Sequence, residues 1–223
     1  MSNLYIVATP IGNLGDITIR AIETLKSVAV VACEDTRHTL RLLTHFEIKV
    51  KLISCRSANE ASASQKVIAV LNGGMDAAYA SDAGTPAISD PGAILVQKAI
   101  SAGHKVVPVP GASAFASLVS VAGCGGKTVI FEGFLSPKPG KRRTRLKELL
   151  GGNAAFVVYE SPFRIVKLFE DLRDLDAERD VCVGREMTKI HEEFLRGTCA
   201  DVLKALVERK EQLGEFSVFV SAR

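Results

Sequence analysis

The sequence predicts an α/β fold made of two small domains, and three observations carry that expectation. Short β-branched runs alternate with helix-period segments almost to the end of the chain. Three Gly- and Pro-rich loops follow directly after apolar runs in the first half, where open parallel sheets place their ligands. The glycine-rich break Gly123-Cys124-Gly125-Gly126 then precedes a fresh strand, which sets a boundary between domains 1–118 and 119–223. With 223 residues, 47% hydrophobic and 24% charged, the chain has apolar material for a sizeable core.

Taken in order, strands are expected at 4–8, 28–33, 50–54, 76–80 and 105–109, then at 128–133, 154–159, 180–184 and 216–221. Helical periodicity marks 17–27, 60–72, 92–102, 112–122, 162–174 and 200–210. In 112–122, for example, Phe115, Leu118, Val119 and Ala122 share one face at i, i+3, i+4, i+7 spacing. Strands alternating with helices imply at least partly parallel sheets.

Composition excludes several classes. No apolar run approaches the roughly 18 residues of a membrane span, since Glu23 and Lys26 interrupt the first apolar stretch. A strand begins at once, with no basic leader before it, so no signal peptide is expected. Five scattered cysteines without a CxxC pair are read as buried hydrophobes in a reducing cytosol. Four histidines without an HxxxH pair offer no zinc site, and no metal is expected.

The loops are Thr9–Asp16, Ser81–Gly92 and Pro108–Ser113. Glycine lets backbone approach a ligand, and proline fixes loop shape. Two familiar cofactor motifs fail here. Gly125-Gly126-Lys127-Thr128 resembles the end of a Walker A loop, but the leading glycine is replaced by Val121 and a strand follows. Gly12 and Gly15 alone do not make a dinucleotide fingerprint.

The run Leu4-Tyr5-Ile6-Val7-Ala8-Thr9-Pro10-Ile11-Gly12-Asn13-Leu14-Gly15-Asp16 resembles the opening of the ribosomal RNA small subunit methyltransferase I family, within the tetrapyrrole-methylase superfamily. The resemblance continues through Glu34-Asp35-Thr36-Arg37-His38, Ser81–Gly92, Val107–Gly111, Glu132–Leu135, Tyr159–Arg164 and Arg185–Lys189. It implies a cytoplasmic homodimer that transfers methyl from S-adenosylmethionine to a cytidine 2′-hydroxyl in the decoding region of 16S rRNA, in the small ribosomal subunit. It implies a cofactor cleft between two α/β domains of tetrapyrrole-methylase type. Ile11, Asp82, Gly84, Thr85, Ile88, Gly111, Ser113 and Ala114 would line that cleft from the first half, and Tyr159, Arg185, Glu186 and Glu215 from the second. Two departures stand out. Where the family often carries a histidine before an Asn-Glu pair, this chain reads Cys55-Arg56-Ser57-Ala58-Asn59-Glu60, and many members continue beyond the last strand, whereas this sequence stops at Arg223.

A ribose hydroxyl is a weak nucleophile when neutral, so a nearby base should assist. Asp35 is the first candidate, with Arg37 fixing substrate phosphate; the competing reading has Asp35 cap the next helix and pair with Arg37. Glu160, near Arg164, is a further catalytic candidate at a strand end. For RNA, Lys138, Lys141, Arg142, Arg143 and Arg145 form a basic loop between Ser136 and Lys147 that contains no acid. Two alternatives stay open: a methylase of tetrapyrroles or another small molecule on the same fold, and a non-catalytic ribosome-binding protein.

Overall fold

The computed structural model describes residues 1–123 and 127–223, in two compact units, Met1–Ser113 and Ala114–Arg223. The first unit holds β1 (Asn3–Val7), β2 (Val30–Cys33), β3 (Lys51–Ser54), β4 (Ala77–Ala80) and β5 (Lys105–Val109). They form one parallel sheet in the order β3-β2-β4-β1-β5. Helices α1 (Ile19–Ser27), α2 (Thr36–His45), α3 (Glu60–Asn72) and α4 (Ala93–Ser101) join the strands. Parallel strands covered on both faces lose the polar alternation of a half-exposed sheet, and β2 and β4 are buried at every residue. On one face Leu4, Val30, Ala32 and Tyr79 pack with Val67, Leu71 and Leu95 of α3 and α4. On the other, Val7, Val31, Ala78 and Val109 meet Leu25 and Leu43 of α1 and α2. At about 25 cal/mol per Å² of apolar surface, such layers dominate the stability of the unit.

The second unit begins with α5 (Ala114–Val121) and holds β6 (Val129–Phe134), β7 (Ala155–Glu160), β8 (Asp180–Arg185), β9 (Glu193–Thr198) and β10 (Phe216–Val220). Its sheet is mixed, in the order β6-β7-β10-β8-β9, with only β6 and β7 parallel. Helices α6 (Pro139–Leu150), α7 (Ile165–Leu175) and α8 (Cys199–Val207) cover one face, burying Leu146, Phe169 and Leu206 against Phe156 and Val218. On the other, Phe115 of α5 meets Phe131, which meets Tyr159, edge to face at 5.2 and 5.0 Å.

Three differences from the sequence reading matter. The division falls at Ser113/Ala114 rather than 118/119, because α5 packs its buried Leu118 beside Gly184 of β8. Strand β9 was not anticipated; its sequence Glu-Phe-Leu-Arg-Gly-Thr lacks a buried face, as befits an edge strand. The basic loop is a helix: Pro139 starts α6 in its first turn, where a missing N–H costs nothing, and the basic residues lie along it. Cys33, Cys55, Cys182 and Cys199 are buried, while Cys124 lies outside the described residues. Among the described residues no helix is long and apolar enough to cross a membrane.

Candidate functional site

Strand β1 lies between β4 and β5, so the loops after these three strands leave the sheet side by side. They are also tied together. Thr9 and Gly84 exchange backbone hydrogen bonds of 2.9 and 3.0 Å, joining the first loop to the second. The Thr9 hydroxyl donates to the Ser81 carbonyl at 3.1 Å, and the Thr85 hydroxyl donates to the Ala112 carbonyl at 3.2 Å, joining the second loop to the third. Gly84 sits at φ +79°, and a Cβ there would lie 3.3 Å from Ile11 Cγ2, so glycine is required both by conformation and by the nearness of that side chain. The close packing of the loops brings together Ile11, Asp82, Gly84, Thr85, Ile88, Gly111 and Ser113 at one edge of the first unit. Ile88 is 53% exposed and Ile11 half-buried, so packing does not use up their apolar surface.

The polar cluster after β2 reads differently from the sequence expectation. Asp35 caps α2: its Oδ1 accepts the Arg37 N–H at 2.8 Å, and its Oδ2 lies 3.3 Å from the Arg37 guanidinium. These bonds favour the charged form and hold the carboxyl at about 2, so Asp35 is a weak base whose lone pairs are already engaged. The capping reading therefore describes its geometry. Its own N–H donates to Asp82 Oδ1 at 3.0 Å, linking the α2 start to the second loop.

Glu34, one residue earlier, is the residue that sequence reasoning passed over. Its Oε1 is buried and has no hydrogen-bond partner among the described residues. Burial, with the charges of Asp90 and Asp82 adding to it, pushes the carboxyl up to about 7. The signal was present in the strand period. Val30 and Ala32 face the α3/α4 core, so Glu34 continues that face inward while Asp35 turns away. Glu60, another buried acid here, is satisfied: its Oε1 accepts the N–H groups of Gly92 and Ile94, both at 2.9 Å, at the start of α4.

In the second unit, Glu160 is 3% exposed, accepts the Ser161 N–H at 2.8 Å and pairs with Arg164 at 2.6 Å. It is a strand-end anchor rather than a group open to substrate. Tyr159, Arg185 and Glu215 gather at one sheet edge, where β7 and β8 end and β10 begins, with Phe216 paired to both Glu160 and Arg185. Glu186 accepts the Glu215 N–H at 2.9 Å, and Lys189 bridges Glu186 at 2.8 Å and Glu215 at 3.0 Å. Gly214, at φ +93°, leaves the space that Glu186 fills.

The basic residues separate into two sets. Arg142 is 5% exposed and its Nε meets Asp171 at 2.7 Å, so it is unavailable to a phosphate. The sequence expectation for it is corrected: the stretch holds no acid, but α7 supplies one. Arg143 pairs with Asp171 and Asp174, and Arg145 with Glu132 and Glu148. Lys138 and Lys141 are exposed.

Comparison with known proteins identifies the family. The family model for tetrapyrrole (corrin/porphyrin) methylases matches residues 3–203. A ribosomal RNA small subunit methyltransferase I of Borrelia garinii subsp. bavariensis is 45% identical over 98% of both chains, and one of Thermotoga maritima is 43% identical over the full length of both. Among solved structures, a cobalamin biosynthetic enzyme, cobalt precorrin-4 methyltransferase, superposes with a TM-score of 0.73 at 16% identity, covering 98% of this chain and 94% of its own. Uroporphyrin-III-C-methyltransferase from Thermus thermophilus gives 0.69 at 16% identity, covering 99% of this chain and 94% of its own. With its parallel-sheet unit, its three interlocked loops and relatives matched end to end, the chain belongs to the tetrapyrrole methylases and, within them, to the ribosomal RNA small subunit methyltransferase I family.

Proposed function

We propose that this protein transfers a methyl group from S-adenosylmethionine to the 2′-hydroxyl of a cytidine in the decoding region of 16S rRNA. The observation that carries the reading is the interlocked Thr9–Gly84–Ala112 loop cluster at the carboxyl ends of β1, β4 and β5. Its chemistry fits the cofactor. The apolar surfaces of Ile11 and Ile88 suit an adenine, and Gly84 and Gly111 let the loops that carry them pack closely, since a Cβ would come within 3.3 Å of Ile11 Cγ2 at the first and 3.1 Å of Ala8 Cβ at the second. Asp82, Thr85 and Ser113 offer polar groups to the ribose and amino-acid parts of the cofactor. When bound, S-adenosylmethionine supplies an electrophilic methyl group.

Methyl transfer from a sulfonium needs no acid for the leaving thioether, so the protein's task is alignment of the acceptor and removal of its proton. The relatives' shared name, ribosomal RNA small subunit methyltransferase I, supports rRNA as the substrate. Lys138, at the N-cap of α6, and Lys141 within it are basic residues open to phosphate, as is Lys147, and they act in the reading as sequence-independent contacts. A cytoplasmic homodimer belongs to the same reading. The test is labelled-methyl transfer to assembled small subunits, naked 16S rRNA and a porphyrin precursor, with the modified nucleoside identified by mass. Label in 2′-O-methylcytidine is expected; label in the porphyrin alone overturns the reading.

A further inference from the structure

Two buried polar groups of the first unit lack partners and face the same corner. One is Glu34 Oε1; the other is the hydroxyl of Tyr79 on β4, a side chain with 0% exposure and no hydrogen bond among the described residues. Strand register places them together, since Ala32 of β2 pairs with Tyr79 and Glu34 lies two residues further along the same face. Their electrostatic coupling agrees: after burial, the charge of Glu34 is the largest influence on the Tyr79 hydroxyl, followed by Cys55, Asp90 and Glu60. The ring also lies against Gly92, where a Cβ would come within 2.8 Å of it, so the hydroxyl has little freedom to turn elsewhere.

A buried donor and a buried acceptor left unmet each lower stability. Tyr79 is wholly enclosed whereas Glu34 is partly exposed, so a hydroxyl acceptor reaching this corner from solvent meets Glu34. It lies beside the second cofactor loop, which contributes Asp82 and Asp90.

We infer that Glu34 is the proton acceptor of the methyl transfer and that Tyr79, enclosed behind it, is a positioning residue for its carboxylate. The inference rests on the proposed RNA ribose methylation. The acceptor O–H bond breaks and its proton passes to a Glu34 oxygen while the new oxygen–carbon bond forms. The electron pair of the broken carbon–sulfur bond remains on the thioether, and the carboxylate and sulfonium charges are lost together. A carboxyl titrating near 7 is matched to this task, since it is ionised just above neutrality yet retains proton affinity. The groups facing it are Tyr79, Asp82, Asp90 and Cys55, with Glu60 acting on Tyr79 and Cys55 behind them and Arg56 donating to the Glu34 carbonyl rather than to the carboxylate.

The test compares Glu34→Gln, Glu34→Asp and Tyr79→Phe with the unaltered chain. It uses single-turnover methylation of small subunits from pH 5.5 to 9, calorimetric titration with S-adenosylmethionine, and thermal melts. Glu34→Gln is expected to lower the rate by about 10²–10⁴-fold, to abolish the rise of rate through pH 7 and to leave cofactor affinity unchanged. Glu34→Asp restores part of the rate with its pH limb, and Tyr79→Phe causes a smaller loss. Because the folded pKa is raised, the folded chain binds more protons than the unfolded between about 4.5 and 7, so Glu34 lowers stability as pH rises across that window. Glu34→Gln should therefore melt higher than wild type at pH 8, and the gain should vanish near pH 4.5. A folded Glu34→Gln protein that methylates at the wild-type rate with its pH limb intact overturns the assignment. If the unaltered chain binds the cofactor but methylates only a small molecule, the parent reading fails and takes this one with it.

Discussion

The corner around Glu34 in the first unit and helix α6 in the second make an instructive pair. Both carry a dense run of one charge in or near a single segment: Glu34-Asp35 with Asp82 and Asp90 in the first, and Lys138 to Lys147 in the second. In the second unit nearly every arginine finds an acid from a neighbouring element: Arg142 and Arg143 meet Asp171, and Arg145 meets Glu132 through two bonds of 2.8 Å. In the first, the like charges face one another and Glu34 Oε1 is left without a partner. Pairing consumes a charge for structure, whereas an unpaired buried charge stores a proton affinity that chemistry can use.

The largest expected effect breaks the paired side of this comparison. Asp171 is 6% exposed and shared by two arginines, so Asp171→Ala leaves the buried Arg142 charge uncompensated. Removal of one partner of a buried pair typically costs about 3–5 kcal/mol, on the order of half a domain's stability. Denaturant unfolding should show this loss. A double Arg142→Met, Asp171→Leu variant should recover most of it, because the desolvated charge has gone. A double variant as unstable as the single would mean that packing, not charge, is what Asp171 provides.

Next comes the loop cluster. Gly84→Val forces a β-branched residue to φ +79°, costing about 1–2 kcal/mol, and drives its side chain towards Ile11 Cγ2. The sheet beneath is untouched, so circular dichroism should remain native while calorimetry shows no S-adenosylmethionine binding. A folded Gly84→Val protein with normal affinity would remove the cofactor from these loops.

Much of this architecture was legible in the sequence, and the reasons are physical. The strands of the first unit are buried on both faces, so Val30–Cys33 and Ala77–Ala80 announce themselves as continuous apolar runs. Strand β9 was not legible, because an edge strand with half-exposed residues has neither an apolar run nor alternation. The loops were legible because glycine at positive φ and proline are local signals; Gly84 and Gly92 both have positive φ. What no local signal carries is the identity of a partner distant in sequence. Asp171 lies 29 residues from Arg142, and Tyr79 lies 45 residues from Glu34, so neither the spent arginine nor the unspent acid can be told from composition. Strand period alone would have preferred Glu34 to Asp35, since it assigns inward and outward faces one residue apart.

A smaller effect separates the two classes of basic residue on α6. If Lys138 and Lys141 bind phosphate, reversing both to Glu should lower the log–log salt slope of small-subunit binding by roughly 0.7–0.9 for each phosphate no longer neutralised. Reversing Arg143 should instead loosen its link to Asp171 and Asp174 and change the slope little. Cofactor binding should be unaffected by either change. An unaltered slope in the lysine variant would leave α6 as a solvated face.

The smallest expected effect is also the sharpest comparison, because it sets Asp35 beside its neighbour. Asp35→Ala removes the cap of α2 and the pairing with an exposed Arg37, so a modest fall in melting temperature is expected. The fall should depend on pH in the opposite sense to that at Glu34. The Asp35 carboxyl is held at about 2, below its ordinary 3.8, so the folded chain binds that proton less readily than the unfolded one. Its stabilising contribution is therefore complete above about pH 4 and disappears as pH falls through about 2. Wild type and Asp35→Ala should melt apart at pH 7 and converge in strong acid, while Glu34→Gln diverges from wild type only as pH rises. Arg37→Ala should behave as a weaker version of Asp35→Ala, since the backbone N–H of residue 37 would still be capped. Turnover in both variants should stay within a few-fold of wild type, because a carboxylate committed to a helix end has no lone pair aimed at substrate. A hundredfold loss of rate in Asp35→Ala, with α2 still folded, would return the role of base to Asp35 and remove it from Glu34.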